Sequence, residues 1–259
     1  MANYHFEVKN VSRKKSHSIT RRVSYIFGEK LRDNYNRKNC YKNRCDVLFR
    51  EVFLPDGAPS EFGDIQTLCG EIDKAEKRRD SRTAKEFIGS LPNELNVNEI
   101  IKIVTEFITE HFTEHGLVAI AAIHEGRNVD DPSRNNPHVH ILVTTRALDE
   151  HGFSPEKFTE LDQRTKVRIW RESWATVQNR AYERNGLDIC VSHRSLKARN
   201  IDRKPIPRLS CIDIQREKSG QRTAAGDLRR KVIEENKQKL LEKEHKRKKK
   251  HKHSKSRSH

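Results

Sequence analysis

Two apolar runs joined by a polar segment constrain this chain more than anything else in it. Leu117 to Ile123 is continuously apolar, begins just after Gly116, and is short enough to be a central strand. A second run, Pro137-His138-Val139-His140-Ile141-Leu142-Val143, opens a strand extending to Thr145. The intervening Glu125 to Asn136 contains Gly, Pro, Asn and Asp, which make loops rather than a crossover helix. Strands joined in this way pair antiparallel. Residues two apart in a strand point to the same face, so His138 and His140 project together while Val139 and Ile141 enter the core.

Other patterns surround this pair. Tyr4, Phe6 and Val8 alternate with polar residues, as in a half-buried strand. Ser18 to Leu31 reads as a basic helix capped by Ser16 or Ser18. Asp46 to Leu54 and Glu86 to Leu91 read as strands, and Ile65 to Asp80 as a helix. Asn96 to His111 gathers Ile100, Ile101, Ile103, Val104, Phe107 and Ile108 on one side of a helix. Val167, Trp170, Trp174, Val177 and Ala181 mark another, ending at Asn185-Gly186, with Ile189 to His193 as one more short strand. The expected fold class is α+β, a central antiparallel sheet with flanking helices.

Charge is concentrated at one end. Lys237 to His259 holds eleven Lys/Arg against two Glu, nine of the sixteen net positive charges. With nothing apolar to bury, its last part is expected to be a disordered, phosphate-tracking arm, entered through a charged helix over about Asp227 to Glu244. The division expected is residues 1–226 as the folded domain and 227–259 as a basic tail. The net charge of +16 favours a polyanionic partner, nucleic acid first. No run of 18 apolar residues exists, so no membrane span is expected, and the start of the chain lacks a signal-peptide layout. The five cysteines are scattered, without a Cys-x-x-Cys pair, and read as reduced thiols of a cytoplasmic protein.

The chemistry begins with the imidazoles. His138 and His140 make half of a metal site, and His124, at the end of the facing strand, supplies a third nitrogen while leaving coordination positions free. Imidazoles alone do not name the ion: Zn, Ni, Co and Fe suit them, and phosphoryl chemistry points to Mn or Mg. An attacking group stands in the basic helix, where Arg21 and Arg22 lie one turn from Tyr25.

Several blocks together resemble the MobA/MobL family of plasmid-mobilisation relaxases. They are Met1-Ala2-Asn3-Tyr4-His5-Phe6 with Ser12-Arg13, and Tyr25 followed by Gly28-Glu29-Lys30. Further along come Lys85-Glu86-Phe87 with Leu91-Pro92-Asn93-Glu94-Leu95, and Ala122-Ile123-His124 with Asn136-Pro137-His138-Val139-His140. The last is His193-Arg194-Ser195-Leu196 with Ile201-Asp202-Arg203. The resemblance implies a palm-like histidine-hydrophobic-histidine endonuclease. In that family a tyrosine of the first helix attacks a DNA phosphodiester at the transfer origin, forming a 5′-phosphotyrosyl bond and freeing a 3′-hydroxyl. The matching positions here are Tyr25, His124, His138 and His140. Ser192, Arg208-Leu209-Ser210 and Ile26-Phe27 depart from the family pattern without touching these four.

Glu86, between apolar residues in a strand, is expected to accept the proton of Tyr25 or to orient a ligand histidine. Arg13, Lys14, Lys15, Arg21, Arg22, Arg194 and Lys197 are the expected DNA contacts. The expected partner is single-stranded DNA at a transfer origin in a bacterial cytoplasm, with accessory mobilisation proteins and a type IV secretion coupling protein. A rolling-circle initiator would use the same groups, but usually carries its tyrosine downstream of the histidines. A basic nucleic-acid-binding protein with merely packed histidines is the non-enzymatic alternative.

Overall fold

The computed structural model describes residues 4–13, 18–41, 44–128, 131 and 135–255. The chain divides into two compact units, Met1–His193 and Arg194–His259. The strands of the first unit are β1 (Phe6–Ser12), β2 (Leu31–Asp33), β3 (Lys38–Cys40), β4 (Val47–Phe53), β5 (Arg82–Ser90), β6 (Leu117–His124), β7 (His138–Asp149) and β8 (Gly152–Phe153). Its helices are α1 (Ile19–Phe27), α2 (Ile65–Ala75), α3 (Val97–His111) and α4 (Arg164–Arg184). The second unit contains α5 (Cys211–Lys218) and α6 (Ala224–Lys255).

The main sheet runs β1-β5-β7-β6-β4, with β8 paired to the far end of β7, and every pairing is antiparallel. The expected hairpin is its centre: His124 faces His138 and Ala122 faces His140. Parity then sorts the side chains. Odd-numbered Phe87, Ala119, Ala121, Ile123, Val139, Ile141 and Val143 pack with Phe107, Trp170 and Trp174 of α3 and α4. Even-numbered Ala84, Val118, Ile120, Ala122 and Leu142 pack with Ile19, Val23, Ile26 and Leu68 of α1 and α2. Glu86, His124, His138 and His140 share that even parity, so the sheet presents all four toward α1.

Local chemistry moves several boundaries. Helix α1 is capped by Ser18, whose hydroxyl accepts from the Arg21 amide at 3.0 Å. It stops at Gly28, whose left-handed backbone (φ 69°) ends the helix before Leu31 and frees the following residues to form the β2–β3 hairpin. Helix α2 ends at Ala75 rather than near Asp80. Strand β5 begins at Arg82 and β7 runs on to Asp149, both beyond the expected spans. Ile189 to His193 is not a strand, because the Asn179 side chain takes both the Val191 amide and the Val191 carbonyl, at 2.8 and 3.0 Å. On the α3/α4 side, Gly89 admits the Trp174 ring: a Cβ there would lie 2.6 Å from it.

In the second unit Ser210 caps α5, and Glu217 joins α5 to α6 by accepting from the Thr223 amide at 2.7 Å and pairing with Arg230. Helix α6 starts earlier than Asp227 and continues past Glu244 to Lys255; residues 256–259 lie outside the described residues. No helix among the described residues is long and apolar enough to cross a membrane.

Candidate functional site

The antiparallel register brings His124, His138 and His140 into one cluster, with ring centroids 5.0–5.3 Å apart. One ring nitrogen of each lies within 4.8 Å of the other two. Each ring is held by its remaining nitrogen. His124 Nε2 donates to the Ile26 carbonyl at 2.7 Å, and His138 Nδ1 to the Asn136 carbonyl at 2.8 Å. His140 Nδ1 lies 2.8 Å from Glu86 Oε1. A carbonyl or carboxylate oxygen can only accept, so these contacts fix the tautomers and leave a lone pair on His124 Nδ1, His138 Nε2 and His140 Nε2.

His124 Nδ1 is buried with no hydrogen-bond partner, an arrangement that costs free energy unless something fills it. Burial pushes the His124 imidazole down to about 4 and also lowers His138, so both are neutral at ordinary pH. Three convergent ring nitrogens with oriented rings fit a divalent cation and leave coordination positions for oxygen ligands.

Glu86 is 4% exposed, so water contributes little to balancing its charge. Burial disfavours the carboxylate, but hydrogen bonds from His140 and Arg22 outweigh it and hold Glu86 below its ordinary range. Arg22 reaches across from α1 to pair with Glu86, its Nε at 3.0 Å. Of the two expectations for Glu86, this geometry matches orientation of a histidine. The guanidinium of Arg22 also stands 4.8 Å from the centroid of the half-buried Tyr25 ring. Arg22 is thus partly buried, with its guanidinium engaged by Glu86 and the Tyr25 ring.

Tyr25 is coupled to the histidines through the backbone, since the next residue supplies the carbonyl that anchors His124. Tyr35 and Tyr41 are 46% and 62% exposed, and Tyr35 stacks under Arg13 at 4.2 Å. Arg13 is the clearest correction among the expected DNA contacts. It is buried, paired with Asp73 at 2.7 Å, and donates to the Glu76 and Asp73 carbonyls. It ties α2 and the turn after it to β1. Arg21 is exposed on α1. Arg194 and Lys197 are exposed in the second unit, where Arg194 donates to the Ala198 carbonyl. Lys14 and Lys15 lie outside the described residues.

Two residues that the sequence reading did not single out stand beside this cluster. Arg44 grips Asp46 through both carboxylate oxygens, at 2.9 and 2.7 Å, and its guanidinium lies 5.0 Å from the Tyr25 ring centroid. Both belong to the segment entering β4, where no periodicity marks them; an Arg-x-Asp spacing before a strand was the available signal. The Asp46 carbonyl accepts from the Glu125 amide at 2.8 Å, fastening this segment to the residue after His124.

Residues 17–219 match the MobA/MobL family. A probable mobilization protein MobA of Bifidobacterium longum is 29% identical over 248 residues, covering 79% of this chain and 42% of that protein. A conjugal transfer protein TraA of Agrobacterium fabrum is 27% identical over 236 residues, covering 79% of this chain and 21% of that protein. The chain thus spans less than half the length of these curated relatives. A structure solved for the molecular basis of vancomycin resistance transfer in Staphylococcus aureus superposes with a TM-score of 0.66 at 31% identity. That superposition covers 75% of this chain and all of the other.

Proposed function

The chain belongs to the MobA/MobL family, and from that premise we propose that it is a relaxase that nicks and rejoins one DNA strand at a plasmid transfer origin. The observation that carries this reading is the cluster of three oriented histidines anchored, through the Ile26 carbonyl, to the helix that bears Tyr25. In the proposed reaction the Tyr25 oxygen bonds to the scissile phosphorus as the bond to the 3′ oxygen breaks. The phenol loses its proton and the departing 3′ oxygen gains one. The 5′-phosphotyrosyl product retains the energy of the broken linkage, so rejoining needs no nucleotide cofactor.

His124, His138 and His140 would hold the divalent cation, Mn or Mg by the phosphoryl chemistry and Zn, Ni or Co by the affinity of imidazole. Bound there, the ion supplies Lewis acidity toward a phosphate oxygen. Glu86 keeps the His140 ring turned to the cluster, and Arg22 keeps Glu86 ionised. The walls formed by α1 and β4 limit water on one side of the cluster, where His124 is fully buried.

The nicking domain is assigned to residues 1–226 and a basic DNA-tracking extension to 227–259. Arg21, Arg194 and Lys197 are proposed as phosphate contacts. Accessory mobilisation proteins and a secretion coupling protein complete the proposed partners. The test is a supercoiled plasmid carrying the cognate origin, incubated with the protein and Mn²⁺ and then treated with detergent and protease. Relaxation with protein attached at a 5′ end supports the reading; absence of both overturns it.

A further inference from the structure

The Arg44–Asp46 pair is the strongest feature that the proposed reaction leaves without a role. Four observations bear on it. The pair is bidentate, the geometry that orders a guanidinium best. Its partner acid is itself fixed, because the Asp46 carbonyl is tied to Glu125 beside His124. The guanidinium sits beside the Tyr25 ring, 5.0 Å from its centroid, with a favourable electrostatic interaction between the two groups. Finally, Gly28 makes room: a Cβ there would lie 3.2 Å from the Arg44 Cβ and 3.4 Å from its carbonyl oxygen. The glycine that ends α1 is thus also the position against which Arg44 packs.

Arginine stays protonated at any working pH, so Arg44 cannot take the phenolic proton. What a fixed cation beside that ring can do is stabilise negative charge on its oxygen while the oxygen is neither a phenol nor a phosphate ester. We propose that Arg44, held by Asp46, is a catalytic residue that stabilises the charge developing on the Tyr25 oxygen during both cutting and rejoining. The proposal rests on Tyr25 being the nucleophile. In cutting, the Tyr25 oxygen–phosphorus bond forms, the phosphorus–3′ oxygen bond breaks, and one proton leaves the phenol while one arrives at the 3′ oxygen. Rejoining is the reverse, with the Tyr25 oxygen as the leaving group. Neither the resting phenol nor the phosphotyrosyl ester carries the phenolate charge. Arg44 therefore lowers the barrier between them without favouring either side.

That symmetry sets the test. Single-stranded oligonucleotides from the cognate origin are cut with Mn²⁺ by the full chain, and forward and reverse rates and the final cleaved fraction are measured. Arg44→Ala is expected to slow cutting and rejoining by the same factor, on the order of 10²-fold, the usual effect of removing one donor from a developing oxyanion. The cleaved fraction at equilibrium should not move. Arg44→Lys, which restores a cation, should recover much of the loss, and so should added guanidinium with the alanine variant. If Arg44→Ala does not fold, Asp46→Asn carries the test, with a smaller but equally symmetric slowing. Full-rate cutting by the folded Arg44 variants, or a shifted cleaved fraction at unchanged forward rate, overturns the proposal. Tyr25→Phe run in parallel separates the two ideas: if that variant still cuts, the nucleophile assignment fails; if it is dead while Arg44→Ala is unimpaired, only the Arg44 assignment fails.

Discussion

His124 donates its Nε2 hydrogen to the carbonyl of Ile26 at 2.7 Å, joining the buried end of β6 to the helix that carries Tyr25. This bond leaves His124 Nδ1 among the His138 and His140 nitrogens, buried and without a hydrogen-bond partner. Tyr25 and the three histidines are therefore parts of one assembly.

The first prediction concerns metal uptake. Replacing His138 and His140 together should abolish it, as measured by metal analysis after dialysis; unchanged content would remove the site. Glu86→Gln keeps every ligand but weakens the hold on His140, and should lower metal affinity by about 10–100-fold. Calorimetric titration of both proteins with Mn²⁺ checks this, and equal affinities would mean that Glu86 does not orient the ring.

Chelation should also be visible in stability. A cation present at about 100 times its Kd adds about 2.7 kcal/mol to the folded state. For a domain of this size that corresponds to about 2–4 °C in Tm per kcal/mol. Differential scanning with and without EDTA should show such a fall, and the His138/His140 double variant should show none.

For the metal-free protein, burial holds His124 at about 4, against an ordinary 6.5, and lowers His138 as well. Between these values the unfolded chain binds more protons than the folded one, so stability must fall as pH drops from about 6.5 toward 4. Urea midpoints measured through that window should decline, and His124→Gln should flatten the decline. Identical slopes for the two proteins would contradict the assignment.

Tyr25→Phe should bind the cognate oligonucleotide with near-normal affinity and form no covalent adduct, whereas Tyr35→Phe and Tyr41→Phe should cut normally. Mass spectrometry of the adduct decides which oxygen carries the DNA.

The arginines divide by burial. Arg13→Ala leaves Asp73 buried without its cation, a change that costs about 3–5 kcal/mol, and should lower Tm while leaving the salt dependence of DNA binding unchanged. Arg21→Ala should barely change Tm but reduce the log–log salt slope by about 0.7. The opposite pattern would return Arg13 to the DNA interface.

How much of this was legible in the sequence varies with the range of the signal. The β6–β7 hairpin and the shared parity of His138 and His140 follow from strand periodicity, and the register adds His124. Glu86 was placed in a strand, but its contact with His140, 54 residues away, depends on β5 lying next to β7, which no local pattern encodes. As sequence, Arg13 and Arg22 read as DNA contacts, because composition carries no information about the buried acids Asp73 and Glu86 with which they pair. Arg44 and Asp46 lie in an irregular segment, where only tertiary contact gives them a role. The expected strand at Ile189 to His193 failed because a side-chain amide on α4 satisfied the backbone that a neighbouring strand would otherwise have paired.

One glycine carries a practical consequence. Gly126 adopts a left-handed backbone (φ 59°), and a Cβ there would collide with the Asn136 carbonyl, the same oxygen that holds His138. The Asn136 amide closes the ring by donating back to the Gly126 carbonyl at 3.0 Å. The hairpin is thus buckled at its mouth, between Gly126 and Asn136. Any redesign of this connection must therefore keep the glycine, because a side chain there would push aside the oxygen that sets the His138 tautomer.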